Sequence, residues 1–297
     1  MKVCGVDIMK MYLLIFSLRD FYERTEIIWY IEFHIAIIHA SVRILSMGFH
    51  RCIFDYFQSG DCNMIYFEDL PLDKEILKTL SELKINYVFQ PIFYPDGKTI
   101  YAHEALMRPE GTTVLDLIDE YTKRDELHVL EVATFWGATQ AYFMRGYKEK
   151  LSVNSFPCEV FSQEEAETYR EYFGKDRNVL IIESLEYPRF DLKKSLKKRD
   201  VAAIGDNEIA LDDYGVGFND LDMVKIMDPS IVKIDRSLLS GIDSDPQKQA
   251  NCKDIIDRMH VMGKLVVAEG VETKEEFDYL VGLGADLFQG YYLARPA

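Results

Sequence analysis

The sequence predicts an α/β protein built around a (β/α)8 barrel of the TIM type, preceded by an N-terminal segment of unassigned structure. From residue 87 onward, short apolar or β-branched runs alternate with longer helical patterns, as in successive βα units around a largely parallel sheet. Eight such runs each end on a carboxylate or carboxamide: Gln90, Glu104, Asn154, Glu183, Asp212, Asp235, Glu269 and Gln289. In barrels of this kind, the chemistry lies where the strands end.

The stretches between these runs carry helical signals. Residues 127–145 form a long segment with an apolar face, and residues 163–172 are highly charged. Residues 246–262 begin with a proline in the first turn, and residues 273–282 begin with a threonine that can cap a helix. Residues 72–83, ahead of the first strand, predict an amphipathic helix that leads into the barrel.

Residues 1–75 differ in composition from the rest of the chain. They are dense in aromatic and β-branched residues, and their patterns fit helix and strand equally well. Three interpretations remain open: a small sensory or dimerising element, a buried extension of the barrel, or a stretch read through from a start site upstream of Met64. The predicted domains are therefore residues 1–75, without an assigned structure, and residues 76–297.

Composition limits the partners of the chain. Of its 297 residues 48% are hydrophobic, which predicts a globular protein, and the formal net charge is -16. This charge argues against nonspecific binding to DNA or to an anionic membrane, because the overall field repels phosphate. The apolar run at 11–18 is too short to cross a bilayer, and the run at 27–45 is interrupted by polar and charged residues, so no membrane insertion is predicted.

The cysteines point to a reducing compartment. The chain has five, scattered along the sequence, with no CxxC pair and no histidine at zinc-finger spacing. This pattern favours a cytoplasmic protein without structural zinc.

The residues at the strand ends indicate a cation site. One polar residue at a strand end indicates only a solvated turn, but eight in succession would bring several carboxylates to one barrel mouth. Clustered carboxylates repel one another unless protons or metal ions neutralise them. Oxygen ligands without cysteine or histidine favour hard ions, Mg²⁺ or Mn²⁺. Such ions in a carboxylate site suit phosphoryl chemistry, in which they polarise a phosphate and activate water.

The run at 230–235 contains a lysine. In an extended strand, Lys233 and Asp235 point to one face, while Val232 and Ile234 point to the other. A lysine in so apolar a stretch needs a carboxylate or phosphate partner, because an unpaired buried charge is very costly. The alternative is an edge strand from which the lysine reaches water.

A series of short motifs follows a fixed order along residues 85–297. They are Gln90-Pro91-Ile92, Glu104-Ala105-Leu106-Met107-Arg108, Val153-Asn154, Glu183-x-x-Glu186, Asp212-Asp213-Tyr214-Gly215-x-Gly217, Lys233-Ile234-Asp235, Glu269-Gly270-Val271-Glu272-Thr273 and Gln289-Gly290-Tyr291. In identity, order and spacing they resemble the motifs of the EAL-type phosphodiesterases, which hydrolyse cyclic di-GMP. The resemblance implies a TIM-type barrel of the EAL kind and leaves open whether one strand runs antiparallel.

The resemblance also implies a site for one or two Mg²⁺ or Mn²⁺ ions. The ligands of the first ion would be Glu104, Asn154, Glu183 and Asp212. Asp213 would belong to a second site, with Asp212 bridging and Glu269 nearby. Lys233 would lie close to the attacking water and the scissile phosphate, where it balances developing negative charge. Glu269 would be the general base or a ligand that holds the water, and both roles stay open.

Further residues would bind the substrate or support the site. Arg108 resembles a phosphate clamp, for which a guanidinium is suited, although an arginine before a proline can also be solvated at a turn. The resemblance assigns ligand positioning to Gln90, Asp235 and Gln289, and support of the site and its mobile loop to Glu186 and Glu272. The alternative for the two glutamates is a helix start, where the macrodipole favours carboxylates.

The chain departs from the family pattern in places. Where the loop after the paired aspartates usually reads D-F-G-T-G-Y-S-S, this chain has Val216, Phe218, Asn219 and Asp220 in place of the Thr, Tyr and two Ser. Loss of the hydroxyls is expected to weaken hydrogen bonding in the loop, whereas Asp220 can still cap the following helix. Other departures are Ser155-Phe156, where the family has an apolar residue and then serine, Ser184-Leu185 in place of Leu-Thr, and few residues after Tyr291 for a closing helix.

Three classes of function remain. The favoured one is a Mg²⁺- or Mn²⁺-dependent, cyclic-guanylate-specific phosphodiesterase that converts cyclic di-GMP to linear pGpG. The runner-up is a non-catalytic relative that acts as a cyclic di-GMP receptor or a protein-interaction module. An unrelated barrel metalloenzyme, such as an enolase-like lyase, is disfavoured by the Glu104-Ala105-Leu106 and Gln289-Gly290-Tyr291 motifs. The resemblance also leaves a homodimer open.

Overall fold

The computed structural model describes residues 2–3, 6–7, 72–82, 84–173, 180–204 and 206–297. The chain divides into two units, Met1–Asn63 and Met64–Ala297. In the first unit, β1 (Lys2–Val3) pairs antiparallel with β2 (Val6–Asp7). The three interpretations of residues 1–75 otherwise fall outside the described residues.

The second unit alternates strands and helices. Its strands are β3 (Ile85–Phe93), β4 (Ile100–Pro109), β5 (Lys150–Ser155), β6 (Leu180–Ser184), β7 (Glu208–Tyr214), β8 (Ile231–Ile234), β9 (Leu265–Ala268) and β10 (Leu287–Phe288). Its helices are α1 (Lys74–Glu82), α2 (Val114–Lys123), α3 (Leu127–Met144), α4 (Gln163–Phe173), α5 (Leu192–Ile204), α6 (Leu221–Met227), α7 (Arg236–Leu239), α8 (Pro246–Val261) and α9 (Lys274–Leu283).

The eight strands of this unit close into a barrel in the order β10-β3-β4-β5-β6-β7-β8-β9. The predicted barrel is therefore confirmed. Strand β3 runs antiparallel to both of its neighbours, β4 and β10, whereas the other neighbouring strands are parallel. This answers the question that the family resemblance left open about strand direction.

The direction of β3 changes how Gln90 reaches the site. The prediction that two strands end at Gln90 and Glu104 is wrong, because β3 continues to Phe93 and β4 continues to Pro109. Gln90 instead lies directly opposite Glu104 in the antiparallel register. Gln90 therefore lies beside Glu104 because β3 and β4 are paired, and not because both strands end at these residues.

Beneath six of the polar residues at the barrel mouth lies an apolar side chain on the same strand face. Side chains two residues apart in a strand share a face. Along the parallel strands, the apolar residue therefore comes two positions before its polar partner, as in the pairs Ala102 and Glu104, Ile181 and Glu183, Ala210 and Asp212, Ile231 and Lys233, Val267 and Glu269, and Leu287 and Gln289. These apolar residues pack into one buried cluster with Ile92 and Tyr101. Apolar side chains thus fill the barrel interior, and the polar residues lie above them at the barrel mouth.

The helices begin and end close to the predicted residues. The structure places Thr273 at the cap of α9, in a capping box with Glu276, and Asp245 at the cap of α8 with a proline in its first turn. Helix α3 is buried nearly all round rather than on one face, because it packs against the barrel strands and against α1. In the part of the chain that the structure describes, no helix combines the length and apolarity needed to cross a membrane.

Candidate functional site

Lys233 of β8 lies at the centre of a buried cluster at the barrel mouth. Its side chain is 2% exposed, and its Nζ lies 2.6 Å from Glu269 Oε1, 3.0 Å from Asp212 Oδ1 and 3.6 Å from Glu104 Oε2. The same Nζ contacts the Glu183 carboxylate. The carboxylate partner expected for this lysine is present. The edge-strand alternative is wrong, because β8 lies inside a closed barrel.

The charges of this cluster do not balance. Burial lowers the pKa of Lys233, but the carboxylates of Asp212 and Glu104 outweigh burial, and the pKa is held well above its ordinary value. Burial raises the pKa of Glu183, and the neighbouring Glu104 raises it further. Burial likewise raises the pKa of Glu269, although Lys233 opposes the shift. One ammonium thus faces four carboxylates, and without a further cation the cluster must retain protons.

Amide and hydroxyl groups fix the carboxylates in place. Asn154 Nδ2 donates to Glu104 Oε1 at 3.1 Å, and Gln289 Nε2 donates to Glu104 Oε2 at 2.6 Å. The Ser152 hydroxyl donates to Glu183 Oε2 at 2.6 Å. Within this cluster, the amide oxygens Asn154 Oδ1 and Gln289 Oε1 are buried and have no hydrogen-bond partner in the described part of the chain. Buried oxygens of this kind are suited to accept a cation.

The cluster has the donor set of a hard divalent cation. Glu104, Glu183 and Glu269 each offer an oxygen within 4.8 Å of the others, and so do Asp212, Asp213 and Glu269. Glu269 belongs to both groups. Together with the unpartnered Asn154 oxygen, the residues present fit one or two Mg²⁺ or Mn²⁺ ions.

The loop after the paired aspartates is anchored by a residue whose role the sequence did not reveal. Asn219 is buried, and its Nδ2 donates to the Asp212 carbonyl at 2.7 Å, while its own carbonyl accepts from Gly215 N at 2.8 Å. The side-chain amide thus donates one hydrogen bond within the loop where the family pattern has a serine, and the Gly215 bond is made by the backbone of Asn219. The predicted cap by Asp220 is confirmed, since its Oδ1 accepts from Asp222 N and Met223 N.

Glu186 packs directly against this loop. Gly217 has a φ of 56°, and a Cβ at that position would collide with the Glu186 carboxylate. This contact places Glu186 beside the loop, and its supporting role stays a prediction.

Three further predicted residues have local contacts outside the cluster. The exposed Arg108 is four residues beyond Glu104 on β4 and donates to the Met107 carbonyl. Asp235 caps α7 by accepting from Ser237 N at 2.9 Å. Glu272 is exposed and pairs with Arg236 at 2.8 Å, and Arg236 also donates to the Gly270 carbonyl next to Glu269. Their roles toward a ligand stay predictions.

Asp213 gives this site a pH dependence that can be measured without substrate. It has a φ of 48°, and burial, with Asp212 as the next cause, raises its pKa from 3.8 to about 6. A raised folded-state pKa contributes stability below about pH 4, and this contribution is lost as the pH rises through about 6. We expect metal-free protein in EDTA to lose about 1 kcal/mol of unfolding free energy over this range through Asp213, because solvent reduces the effect on a half-buried group.

The matched variant is Asp213→Asn, which does not titrate and tolerates a positive φ. Urea unfolding at pH 4.5 and 7 should show a smaller loss of stability in this variant than in the unaltered chain. Equal losses in both proteins would contradict the assigned pKa of Asp213.

The chain is similar in sequence to known proteins of one family. The EAL domain family model matches residues 73–296. The probable cyclic di-GMP phosphodiesterase PdeG of Escherichia coli K12 is 24% identical over 308 residues, which cover 95% of this chain and 60% of PdeG. The blue light- and temperature-regulated antirepressor BluF of the same strain is 25% identical over 234 residues, which cover 75% of this chain and 57% of BluF.

The chain is also similar to a solved structure of an EAL protein. A standalone EAL protein from Vibrio cholerae O395, crystallised in its c-di-GMP-bound form, is 25% identical, with a TM-score of 0.66 over 73% of this chain and 93% of that one. The present chain spans no more than 60% of the length of PdeG or BluF. Because the family model matches most of the sequence, the chain belongs to the EAL domain family.

Proposed function

We propose that this chain hydrolyses cyclic di-GMP to linear pGpG in the cytoplasm, with Mg²⁺ or Mn²⁺ as cofactor. The observation that carries the proposal is the convergence of Glu104, Glu183, Asp212 and Glu269 on the buried Lys233. The names of PdeG and of the Vibrio cholerae complex support cyclic di-GMP as the ligand. We assign this activity to residues 76–297 and leave residues 1–75 as a separate segment.

The metal would be held by the acidic groups at the barrel mouth. Glu104, Asn154, Glu183 and Asp212 would bind one ion, and Asp213 with Asp212 and Glu269 would bind a second. When bound, such ions supply Lewis-acid polarisation of the phosphate and lower the pKa of water. The hydrogen bonds from Asn154 and Gln289 to the two Glu104 oxygens would hold that carboxylate in its ligating orientation.

Glu269 and Lys233 would carry the proton and charge changes of hydrolysis. Lys233 holds Glu269 Oε1 at 2.6 Å, which orients the carboxylate toward the cluster. As general base, Glu269 would accept a proton from the attacking water. Lys233, whose pKa is well above its ordinary value, stays an ammonium and would balance negative charge as it develops on the phosphate.

The substrate would lie across the barrel mouth, beside the carboxylate cluster around Lys233. Gln289 Nε2 lies 3.5 Å from Gln90 Oε1, so these two amides form a continuous polar edge beside Glu104. We assign them to ligand positioning, together with Asp235. Arg108, exposed at the end of β4, would bind the second phosphate of the ring through its guanidinium.

A non-catalytic role is the second candidate, and two observations favour it. The relative BluF bears the name of an antirepressor rather than an enzyme. The altered loop exposes Phe218 to 67% and Val216 to 39%, apolar surface that a protein partner could cover. In this case the chain would bind cyclic di-GMP or a protein without turnover.

The deciding experiment is an assay of the full chain. Purified protein is incubated with cyclic di-GMP and either Mn²⁺ or Mg²⁺, and the nucleotides are separated by chromatography. We expect pGpG to accumulate with either ion and to be absent in EDTA. Binding of cyclic di-GMP without any pGpG would overturn the enzyme proposal and support the receptor.

A further inference from the structure

A second buried ion pair lies outside the barrel wall, behind the strand end that carries Asn154. Glu131 of α3 is 1% exposed and Lys198 of α5 is 6% exposed, and Glu131 Oε1 lies 3.1 Å from Lys198 Nζ. A buried pair of this kind adds little net stability, because the cost of desolvation offsets the attraction. We therefore infer the role of the Glu131–Lys198 pair from its hydrogen bonds rather than from its contribution to stability.

The pair satisfies the polar groups of the two residues that follow Asn154. The Ser155 hydroxyl donates to Glu131 Oε1, and Phe156 N donates to Glu131 Oε2 at 3.0 Å. Lys198 Nζ donates to the Phe156 carbonyl at 2.6 Å and to the Ser155 hydroxyl. The side chain of residue 155 and both backbone polar groups of residue 156 are thus held from behind by α3 and α5.

These contacts hold the strand residue next to Asn154. Successive side chains of a strand point to opposite faces, so a Ser155 held outside the barrel places Asn154 inside it. There, Asn154 Nδ2 donates to Glu104 Oε1, and Asn154 Oδ1 is the buried oxygen without a partner. A one-residue displacement at this strand end would withdraw that oxygen from the cluster.

We infer that Glu131 and Lys198 are positioning residues for metal binding, and that they act through Ser155 and Phe156 on Asn154. The inference rests on the proposed function, in which Asn154 is a metal ligand. It also accounts for one departure from the family pattern. A serine at position 155 donates a hydrogen bond to Glu131, which the apolar residue usual at this position could not do.

The test compares two lysines on a metal-binding measurement. Lys198→Met removes the inferred positioning residue. Lys150→Met is the matched control, because Lys150 pairs with Glu208 at 2.6 Å at the opposite, amino-terminal end of the same strand, and each variant loses one positive charge. Free Mn²⁺ is measured by electron paramagnetic resonance with the full chain. We expect Lys198→Met to weaken Mn²⁺ binding about tenfold or more, and Lys150→Met to change it less than about twofold.

A double variant separates positioning from folding. Glu131→Gln combined with Lys198→Met leaves no lone buried charge, so we expect its Tm to lie closer to that of the unaltered chain than the Tm of Lys198→Met does. Its Mn²⁺ binding should stay weakened, because the Phe156 carbonyl has lost its donor. Equal Mn²⁺ affinities in Lys198→Met and Lys150→Met, or unaltered affinity in the double variant, would overturn the inference. If the unaltered chain binds no Mn²⁺, the proposed function fails, and the inference fails with it.

Discussion

Replacement of Glu104 by alanine is expected to abolish both hydrolysis and metal binding. Glu104 accepts hydrogen bonds from Asn154 and Gln289, and it shares a three-carboxylate group with Glu183 and Glu269. Alanine therefore removes a ligand and also leaves two buried amides without their acceptor. We expect the rate of pGpG formation to fall about a thousandfold or more, because several kcal/mol of transition-state stabilisation depend on the metal.

The control for this prediction is a glutamate of the same chemistry outside the site. Glu167 is exposed on α4, and Glu167→Ala should keep both the rate and the Mn²⁺ affinity of the unaltered chain. Initial rates at saturating Mn²⁺ and direct Mn²⁺ titration give the two readouts. Full activity in Glu104→Ala would remove Glu104 from the site.

Substitution of Lys233 by methionine is expected to lower both stability and turnover, and Mn²⁺ is expected to restore only the stability. In EDTA at pH 8 the variant has three buried carboxylates and the half-buried Glu269 without their ammonium, and we expect it to be about 3–5 kcal/mol less stable than the unaltered chain. Mn²⁺ should restore much of this stability by neutralising the same groups. Turnover should remain about 10²–10³-fold low even with Mn²⁺, because the charge that balances the phosphate is lost.

Urea unfolding with and without Mn²⁺, together with rates of pGpG formation, measures these effects. The matched control is Lys225→Met, since Lys225 is exposed on α6 and pairs with the exposed Asp222. Surface pairs contribute less than about 1 kcal/mol, so this variant should be nearly as stable as the unaltered chain. Equal stability of Lys233→Met and Lys225→Met in EDTA would contradict the charge imbalance described for the cluster.

The barrel could be predicted from the sequence because most of its strands repeat one simple pattern. An apolar residue and, two positions later, a polar one place both on the same face, and this spacing recurs from Ala102 and Glu104 to Leu287 and Gln289. The direction of β3 could not be read in this way, because apolar residues stand both two positions before Gln90, at Val88, and two positions after it, at Ile92. The antiparallel β3, and with it the pairing of Gln90 with Glu104, therefore required the structure.

The polar cluster could be anticipated from its motifs, whereas the residues that hold it in place could not. Lys198 lies in the run LKKSLKKR, which has the composition of a solvated helix face, yet its side chain is buried. Glu131 lies in an apolar helix whose single carboxylate gave no sign of its partners. For Asn219, the available signal was its place where the family pattern has a hydroxyl. Each of these residues acts through contacts between segments distant in sequence.

Strand β3 is paired much less extensively with one of its neighbours, β10, than with the other, β4. Strands β10 and β3 share one registered pair in the described residues, Phe288 with Phe93, whereas β3 and β4 pair along most of their length. We expect the amide protons of this junction to exchange earlier than those between β3 and β4, because fewer backbone hydrogen bonds join its strands. Gln289 follows β10 directly and Gln90 lies on β3, so a nucleotide held by both amides would bridge the junction. Ligand binding should therefore slow the opening of the β10–β3 pair, which would be measured as slower amide exchange at Phe93 and Phe288.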